Sequence, residues 1–394
     1  MRPYKYLIVG GGMTADAAVS GIRELDSKGS IGLISAELEI PYDRPPLTKK
    51  LWKGEPLESI WRHTKERNVD LYLERTVRAI DVERKTVADD KNETYSFDKL
   101  LLATGASPRR LPFDGDDIMH YRTVEDYRRL RAWTTKGTRF AVIGGGFIGS
   151  EIAAALAMNG KQVVMVFPGR GICSRMFPSD LSQFLNDFYR QKGVEVWSGE
   201  SAIGMERRGE QFVLKTQSRR EVVIDGVVAG IGVQPNVELA RMAGLKTGDG
   251  IVVDEFLRTS QPDIYAAGDV ALFYNPALDR HLRVEHEDNA NTMGRQAGRN
   301  MAGSAEKYEH LPFFYSDLFE LGYEAVGELD SRLTTLADWK EPHREGVVYY
   351  QKDGKVRGVL LWNVWGQVDA ARDLIAAKHP LRAEDLKHRL PKAV

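Results

Sequence analysis

Short runs of consecutive apolar residues alternate with longer amphipathic segments along residues 1–232 of the chain. Apolar runs at residues 6–9 and 140–143 are each followed by small and apolar residues at helical spacing. These helical positions are Ala15, Ala18, Val19, Ile22 and Leu25 in the first segment and Ile148, Ile152, Ala155 and Leu156 in the second. The spacing predicts helices that end at Gly29 and at Asn159-Gly160, with further strands over residues 31–34 and 162–167. An α/β protein with two Rossmann-like β-α-β units is therefore expected.

The hydrophobic pattern changes near Gly322. Apolar and aromatic positions predict strands over residues 323–327, 346–350 and 355–362, with Asp353-Gly354 as the hairpin turn between the last two. A helix is predicted from Gln367 to Lys378, stopped by Pro380, and the polar, basic tail from Leu381 predicts a short solvated helix. These segments predict a small α+β C-terminal domain.

Each predicted strand-to-helix junction holds a glycine-rich turn. The first turn contains Gly10, Gly12, Met13, Thr14 and Ala15, and the second contains Gly144, Gly146, Phe147, Ile148 and Gly149. In such turns the first glycine permits a sharp bend, the second leaves room for a diphosphate, and the third small residue lets the helix approach the strand. The helix N-terminus then faces the diphosphate. Two such turns predict two dinucleotides in an enzyme that relays electrons between them; the alternative is a glycine-rich turn without a ligand.

Three later strands end in small residues where a nucleotide-binding unit would close. Residues 100–105 end in Ala103, Thr104 and Gly105, and residues 227–232 end in Gly232. In residues 263–270, Asp269 follows two small residues at the start of a turn. A carboxylate there can accept hydrogen bonds from the hydroxyls of a sugar or of a ribityl chain.

Composition narrows the class of protein. The 394 residues allow two to three domains, and a net charge of −1 gives no electrostatic basis for binding nucleic acid or an anionic membrane. No apolar stretch approaches the ~20 residues that span a bilayer, and a core strand near the N-terminus leaves no room for a signal peptide, so a cytoplasmic location is expected. The single cysteine, Cys173, excludes an internal disulfide. It is either an incidental loop residue or a thiol activated by Arg170 and Arg175.

Residues 41–49 read Pro-Tyr-Asp-Arg-Pro-Pro-Leu-Thr-Lys, and residues 259–270 form a second specific block. With these motifs nearly the whole chain resembles the FAD-dependent pyridine nucleotide-disulfide oxidoreductases, in particular those of apoptosis-inducing-factor and ferredoxin-reductase type. The resemblance implies FAD and NAD(P)H as cofactors and an FAD domain split around the NAD domain. The implied segments are residues 1–119 and 246–320 for FAD, 120–245 for NAD(P)H and 321–394 for a C-terminal interface domain.

The resemblance also implies roles for individual residues. Arg44 and Lys49 would contact FAD, and Asp269 would bind its ribityl chain. Glu285 and His286, just before a helix that begins near Asp288, would also lie at the flavin, although the sequence alone suggests a structural hydrogen bond for His286 and no metal site. Phe147 and Trp362 would flank the pocket that holds the flavin and nicotinamide rings. Glu151 would pair with Lys49 beside the isoalloxazine.

Physical reasoning leaves alternatives for two of these residues. Phe147, placed inside a nucleotide turn, either stacks on a ring or acts as a hydrophobic plug between domains. Glu151 lies one helical turn later in an otherwise apolar segment, so it needs a partner. That partner is Lys49, or else Glu151 forms an ordinary surface pair.

The chain departs from the family pattern at two strand ends. The acid expected to bind the adenosine ribose of FAD is displaced to Glu37, which reaches the ribose only if the strand ends early. At the second site Pro168, Gly169 and Arg170 stand where an NADH enzyme carries a carboxylate, so the nicotinamide cofactor is left as NAD(P)H. No cysteine stands near the flavin block, which argues against dithiol chemistry.

Two functions follow from the resemblance. The first is an FAD-containing NAD(P)H oxidoreductase that passes hydride from nicotinamide to flavin and electrons on to an acceptor such as an iron-sulfur ferredoxin. The second is an apoptosis-inducing-factor-like redox sensor or scaffold, with a long-lived complex between reduced flavin and NAD and dimerisation on reduction. A homodimer is expected, and neither nucleic acid nor membrane is an expected partner.

Overall fold

The computed structural model describes residues 1–377 and 380–390. The strands, in chain order, are β1 (Arg2–Val9), β2 (Ile31–Ile34), β3 (Asp70–Tyr72), β4 (Val77–Asp81), β5 (Thr86–Asp89), β6 (Thr94–Leu102), β7 (Ala106–Pro108), β8 (Ile118–His120), β9 (Arg139–Ile143), β10 (Gln162–Phe167), β11 (Val194–Ser198), β12 (Ala202–Arg208), β13 (Gln211–Thr216), β14 (Glu221–Ile224), β15 (Gly226–Ala229), β16 (Val233–Pro235), β17 (Thr247–Gly248), β18 (Gly250–Val252), β19 (Ile264–Ala266), β20 (Ala271–Asn275), β21 (Arg280–Leu282), β22 (Phe313–Leu318), β23 (Leu321–Gly327), β24 (Thr334–Glu341), β25 (Glu345–Lys352) and β26 (Lys355–Trp362). The α-helices are α1 (Met13–Leu25), α2 (Val124–Lys136), α3 (Phe147–Met158), α4 (Ser179–Gln191), α5 (Glu238–Met242), α6 (Glu287–Met301), α7 (Val368–Ala376) and α8 (Ala383–Leu386). Short 3-10 helices cover Pro45–Thr48, Lys50–Lys53, Leu57–Ile60, Thr64–Arg67 and Gly268–Val270.

The chain forms two compact units, each built from three segments. The first unit comprises Met1–Arg44, Leu57–Ser107 and Gln234–Pro312, and the second comprises Pro45–Pro56, Pro108–Val233 and Phe313–Val394. Each glycine turn therefore lies in a different unit. The four-segment division of the chain stays a prediction.

The first unit is built on a seven-stranded sheet of order β3-β2-β1-β6-β5-β4, with β19 also paired to β6. Strands β3, β2, β1, β6 and β19 run parallel, and β5 and β4 continue the sheet in antiparallel fashion. Residues 6–9 of β1, residues 100–102 of β6 and the whole of β2 and β19 are buried and largely apolar, as expected where helices cover both faces of a parallel sheet. This arrangement is the first predicted Rossmann-like unit.

Glycines bring α1 and α6 of the first unit into close contact. A Cβ added at Gly21 would overlap the carbonyl oxygen of Arg295, and one at Gly298 would overlap that of Ala18. Any side chain at these two positions would push the helices apart, so the two glycines allow α6 to pack closely against α1, the helix that begins at the first glycine turn.

The second unit contains a five-stranded parallel sheet of order β11-β10-β9-β15-β8 and an antiparallel sheet β12-β13-β14. It also holds the five-stranded antiparallel sheet β22-β23-β26-β25-β24, against which α7 packs. The β25–β26 turn has Asp353 at φ 51° and Gly354 at φ 73°. Positive φ at both central residues is the requirement of the predicted two-residue hairpin.

Several element ends differ from the sequence-based expectation. Helix α1 ends at Leu25 rather than Gly29, because the Asp26 carboxylate accepts hydrogen bonds from the backbone N–H groups of Lys28 and Gly29 and closes a turn there. Helix α3 ends at Met158, with Gly160 at φ 72°. The predicted helix end at Lys378 lies outside the described residues.

The C-terminal tail corrects a second expectation. A short helix forms over Ala383–Leu386, as predicted, and its first two residues are exposed, but Leu386 is buried. Leu381, Leu386 and Leu390 are all buried, so the tail packs through leucines that its polar composition obscured. Within residues 1–377 and 380–390, no helix combines the length and the apolar character that crossing a bilayer requires.

Candidate functional site

The first glycine turn forms a cradle at the N-terminus of α1. Gly10 has φ 125°, and a Cβ there would overlap the carbonyl oxygen of Ala103, so only glycine fits. Gly12 caps α1 without a side-chain hydrogen bond. A Cβ on Gly12 would meet only Arg44 Nη2, at 3.9 Å. Open backbone N–H groups beside a guanidinium suit a diphosphate, and the residues present therefore fit the FAD that the family implies.

Glu37 and Arg44 meet just beyond the end of β2. Arg44 Nη2 donates to Glu37 Oε1, and the Tyr42 hydroxyl donates to Glu37 Oε2. Arg44 Nη1 also donates to the Tyr42 hydroxyl oxygen at 3.2 Å. The structure thus brings two predicted FAD residues together, and contact of Glu37 with a ribose stays a prediction.

The remaining predicted FAD residues of the first unit occupy the neighbouring turns. Thr104 is held by Asn236, whose Nδ2 donates to the Thr104 carbonyl at 2.8 Å and whose backbone N–H donates to the carbonyl of Gly105 at 3.0 Å. A Cβ on Gly268 would overlap the Thr14 hydroxyl, which places the turn carrying Asp269 against α1. Met13, Thr14 and Ala15 are buried in the first turn of that helix.

His286 and Glu285 precede α6, which begins at Glu287 as the sequence predicted to within one residue. Burial of the His286 ring lowers its pKa to about 4, although Asp269 and Asp288 act in the opposite direction. The imidazole is therefore neutral at pH 7. The carboxylate of Glu285 accepts a hydrogen bond from the Arg283 guanidinium. Contact of Glu285 or His286 with the flavin stays a prediction.

The second glycine turn repeats the geometry of the first. Gly144 has φ 122°, and a Cβ there would overlap the carbonyl oxygen of Gly230. Gly146 caps α3 without a side-chain hydrogen bond, and a Cβ on it would have no neighbour within 4 Å. A Cβ on Gly149 would overlap the carbonyl oxygen of Gly144, so the third glycine allows the helix to approach the turn. These residues fit a second dinucleotide.

Phe147 and Ile148 are half-buried in the first turn of α3. The Phe147 ring contacts Phe314 edge-on at 5.3 Å between centroids. Gly232, at φ 93°, follows β15, and its carbonyl accepts a hydrogen bond from the Arg109 backbone N–H at 2.9 Å. Roles of these residues at a nicotinamide stay predictions.

A buried ion pair joins Lys49 to Glu151. Lys49 Nζ lies 2.7 Å from Glu151 Oε1, and the two side chains are 9% and 4% exposed. Hydroxyl groups of Thr48 and Ser316 also donate to the same carboxylate, and Lys49 Nζ lies 5.3 Å from the centroid of the Tyr315 ring. The predicted pairing is confirmed, and the alternative of a surface pair for Glu151 is wrong because α3 carries it into the interior.

Cys173 is also buried. Burial, followed by the negative charge of Glu151, raises the pKa of the Cys173 thiol to about 12. The hypothesis of a thiol activated by Arg170 and Arg175 is therefore wrong, because both arginines are exposed while the sulfur is not.

Trp362 is fully buried in the antiparallel sheet of the second unit. Its indole stacks on Tyr323 at 5.7 Å between centroids and 8° between planes, and its Nε1–H donates to the carbonyl of His343 at 3.0 Å. The indole is thus enclosed by protein atoms in this packing, and its contact with flavin or nicotinamide stays a prediction.

The loop after β10 replaces a carboxylate with basic side chains. Arg170 is exposed, while its carbonyl accepts hydrogen bonds from Gln183 Nε2 at 2.9 Å and Asn186 Nδ2 at 3.0 Å. The backbone N–H of Cys173 donates to the carbonyl of Gly145 at 2.7 Å. The loop is therefore fixed directly against the second glycine turn.

Sequence reasoning missed several polar residues. Thr48 stands beside Lys49 in the sequence and offered a local signal, whereas Ser316 lies 165 positions from Glu151 and offered none. In the first unit, buried Asp16 accepts hydrogen bonds from Thr64 and Arg67. An acidic residue on the apolar side of α1 was the available signal for this second network.

Comparisons with known proteins agree with this geometry. Residues 4–294 match the model of the pyridine nucleotide-disulphide oxidoreductases, and residues 297–345 and 337–377 match the C-terminal model of mitochondrion-associated apoptosis-inducing factor. The chain is 34% identical to apoptosis-inducing factor 1 of Dictyostelium discoideum, over 98% of this chain and 80% of that protein. It is also 34% identical to the ferredoxin–NAD(+) reductase component of the anthranilate 1,2-dioxygenase system of Burkholderia cepacia, over 94% of each. The solved covalent complex of putidaredoxin reductase with putidaredoxin is similar in structure, with a TM-score of 0.91 and 29% identity over 97% of this chain and 95% of that one.

Proposed function

Because the chain belongs to the pyridine nucleotide-disulphide oxidoreductase family, we propose that it carries electrons from NAD(P)H through FAD to an iron-sulfur protein of the ferredoxin type. The protein is a flavin-dependent oxidoreductase that uses FAD and NAD(P)H. A bound FAD, which the first glycine turn and Arg44 would hold, would supply the chemistry that accepts a hydride from the nicotinamide and passes electrons to a second acceptor. The iron-sulfur acceptor is the part that goes beyond family membership.

The pair of glycine turns carries the proposal. Gly12 and Gly146 each cap a helix with open space in front of the backbone N–H groups, which is the requirement for two separate diphosphates. The chain has a single cysteine, and its buried thiol has a pKa of about 12. The protein therefore cannot reduce a disulfide through a cysteine pair of its own. This supports a route in which the flavin alone connects NAD(P)H to the electron acceptor.

We assign Lys49 and Glu151 to the flavin ring. An ammonium has three N–H donors, and Glu151 engages Lys49 with one of its oxygens at 2.7 Å. The remaining donors of Lys49 would orient a flavin acceptor atom, while Thr48 and Ser316 hold the Glu151 carboxylate in place. No side chain has to supply or remove a proton for hydride transfer, so positioning is the main contribution of the protein.

Relatives support the choice of acceptor. One is named as the reductase of a ferredoxin in a dioxygenase system, and the similar solved structure is a complex with putidaredoxin. To test the acceptor, FAD-loaded protein is reduced anaerobically with NADPH and NADH in a stopped-flow instrument, and turnover is then measured with putidaredoxin. We expect rapid loss of the oxidised flavin band and a saturable dependence on the iron-sulfur protein. Protein that binds no flavin, or whose flavin neither nucleotide reduces, would contradict the proposal.

A sensor or scaffold role is the second candidate. The match of residues 297–377 to the C-terminal model of apoptosis-inducing factor and the 34% identity to one such factor favour it. In that case reduction would be slow, and NADH would shift the protein from monomer to dimer on gel filtration. Fast turnover with putidaredoxin and an unchanged elution volume would exclude the sensor role.

A further inference from the structure

The loop at the carboxyl end of β10 determines which nicotinamide dinucleotide fits the second unit. In a β-α-β nucleotide site the adenosine ribose lies at this strand end, where a carboxylate binds the 2′-hydroxyl and repels a 2′-phosphate. Residues 168–175 read Pro-Gly-Arg-Gly-Ile-Cys-Ser-Arg and contain no acid. We infer that the protein selects NADPH over NADH, and that Arg170 and Arg175 bind the 2′-phosphate; this rests on the proposed function, because it specifies the hydride donor.

The two arginines are available for an anion. Both side chains are exposed, and neither forms an ion pair or a side-chain hydrogen bond with any residue in the ranges 1–377 and 380–390. Other exposed arginines of the second unit are paired, for example Arg190 with Asp187 at 2.8 Å and Arg110 with Asp114 at 2.7 Å. A guanidinium offers a planar set of donors that suits a phosphate group.

The backbone fixes the loop where such a phosphate would lie. The Cys173 N–H donates to the carbonyl of Gly145, in the middle of the glycine turn. The carbonyl of Arg170 is held by Asn186 at 3.0 Å, and the carbonyl of Arg175 accepts from the backbone N–H of Ser331 at 3.0 Å. Both arginines therefore extend from a loop anchored beside the diphosphate cradle, so little ordering is needed when they bind.

Ser174 adds a third polar group to this loop. A Cβ built on Gly169 would lie 2.8 Å from Ser174 Oγ, so the loop curls back and brings the hydroxyl over the glycine. A hydroxyl at this place can donate to a phosphate oxygen, as the guanidinium groups do. Because Ser174 Oγ is the nearest atom to a Cβ built on Gly169, a larger residue at position 169 has to displace only the hydroxyl end of that serine side chain.

Glu200 is the acid that competes with this interpretation. Its backbone N–H donates to the carbonyl of Phe167 at 3.1 Å, so it follows the neighbouring strand end. Its carboxylate accepts a hydrogen bond from the Ser218 hydroxyl, and this bond is the main cause that lowers the pKa of Glu200. Oε1 of Glu200 is thus engaged by the β13–β14 hairpin, whereas Oε2 is buried and has no hydrogen-bond partner within residues 1–377 and 380–390. Because Oε2 is buried, we expect no part for this carboxylate in the recognition of the ribose, and the variant Glu200→Gln tests that expectation.

Binding of adenosine 2′,5′-bisphosphate and of adenosine 5′-monophosphate to the FAD-loaded protein, measured by calorimetry, tests the inference without any turnover. The two probes differ only in the 2′-phosphate. Because hydrogen bonds to a charged group are stronger than those between neutral groups, we expect the bisphosphate to bind about tenfold or more tightly. Arg170→Ala and Arg175→Ala should each remove much of this ratio. Arg208 is an exposed arginine of the same unit that has no side-chain partner among the residues that the structure describes, so Arg208→Ala should leave the ratio unchanged.

Two further variants separate the alternatives. Gly169→Glu restores an acid at the strand end, so it should reverse the preference toward NADH in flavin reduction. Glu200→Gln should leave the ratio of the two probes as it is. Equal affinities for the two probes in the native protein, an unchanged ratio in both arginine variants, or a changed ratio in Glu200→Gln would overturn the inference. Failure of both nucleotides to reduce the flavin would instead contradict the proposed function, while the probe ratio would still report on the arginines.

Discussion

Replacing Lys49 by methionine removes one charge from the buried pair while keeping an unbranched side chain of similar length. Glu151, which is 4% exposed, would then be a buried carboxylate without a cation. Breaking a buried ion pair from one side costs about 3–5 kcal/mol of unfolding free energy. The hydroxyls of Thr48 and Ser316 still donate to the carboxylate, so we expect the lower end of this range, about 3 kcal/mol.

The opposite variant, Glu151→Gln, should cost less. Its amide keeps hydrogen-bonding capacity toward Thr48 and Ser316, and the Tyr315 ring, 5.3 Å from Lys49 Nζ, remains beside the unpaired ammonium. A cation–π contact of this kind contributes about 0.5–2 kcal/mol. The double variant Lys49→Met/Glu151→Gln leaves no buried charge, so the two single losses should not add, and the coupling energy should be about 2 kcal/mol.

Urea unfolding of the four FAD-loaded proteins, followed by both circular dichroism and tryptophan fluorescence, measures these differences wherever the two signals coincide. Lys192→Met is the matched control, because its pair with Glu320 has the same 2.7 Å separation but is 35% and 54% exposed, and exposed pairs contribute about 0–1 kcal/mol. A Lys49→Met protein as stable as the control variant would refute the argument from burial. A flavin potential that shifts in Lys49→Met and stays shifted in the double variant would support contact with the ring, since the double variant regains part of the unfolding free energy but not the N–H donors of Lys49.

Three other outcomes follow from the structure. Gly146→Ala should weaken NAD(P)H binding about tenfold, and it should not lower the melting temperature, because a Cβ there meets nothing within 4 Å. Gly10→Ala, in contrast, should lower the melting temperature, because its Cβ would overlap the Ala103 carbonyl oxygen. Calorimetry measures the binding, and thermal unfolding measures the melting temperatures. Cys173, with a thiol pKa of about 12, should react with iodoacetamide at pH 8 only after unfolding, and rapid labelling of the native protein would contradict its burial. Burial opposes ionisation of Asp225, but hydrogen bonds from Gln211 and from backbone N–H groups lower its pKa to about 2. The ionised carboxylate thus contributes about 2 kcal/mol to the unfolding free energy above pH 4, and this contribution is lost as the pH falls toward 2. Asp225→Asn should therefore be less stable than the native protein at pH 7 and equally stable near pH 2.

The parts of the fold that were predictable from the sequence are those with local causes. Gly10 and Gly144 both have φ near 120°, a conformation that only glycine adopts readily, so the turns are visible as glycine followed by a helical stripe. The hairpin at Asp353-Gly354 was predictable for the same reason. The end of α1 was not, because it depends on the Asp26 side chain capturing two backbone N–H groups, which competes with the helix over a few residues.

The candidate site was predictable only in part, because several of its members meet over long separations in the chain. The partner of Glu151 could be inferred from the cost of burying a lone carboxylate, which requires a cation somewhere. The hydroxyl of Ser316 could not, since one serine among polar residues of a strand carries no local sign of its role. The burial of Trp362 was not predictable either, because its indole packs against Tyr323 and Phe177, which lie far from it in the chain, and its role at the reacting rings stays a prediction.

The two nucleotide units differ most at the position that discriminates between dinucleotides. Both have a positive-φ glycine, an open capping glycine and a helix held close to the strand, so diphosphate binding does not distinguish them. At the end of β2, however, the acid Glu37 is present and is neutralised by Arg44. At the end of β10 the acid is absent, and Arg170 carries a positive charge without a partner in residues 1–377 and 380–390. Since the backbone cradle is the same, the excess positive charge at the second strand end is the feature that an additional phosphate would neutralise, and the proposed selectivity for NADPH rests on that difference in charge rather than on the fold.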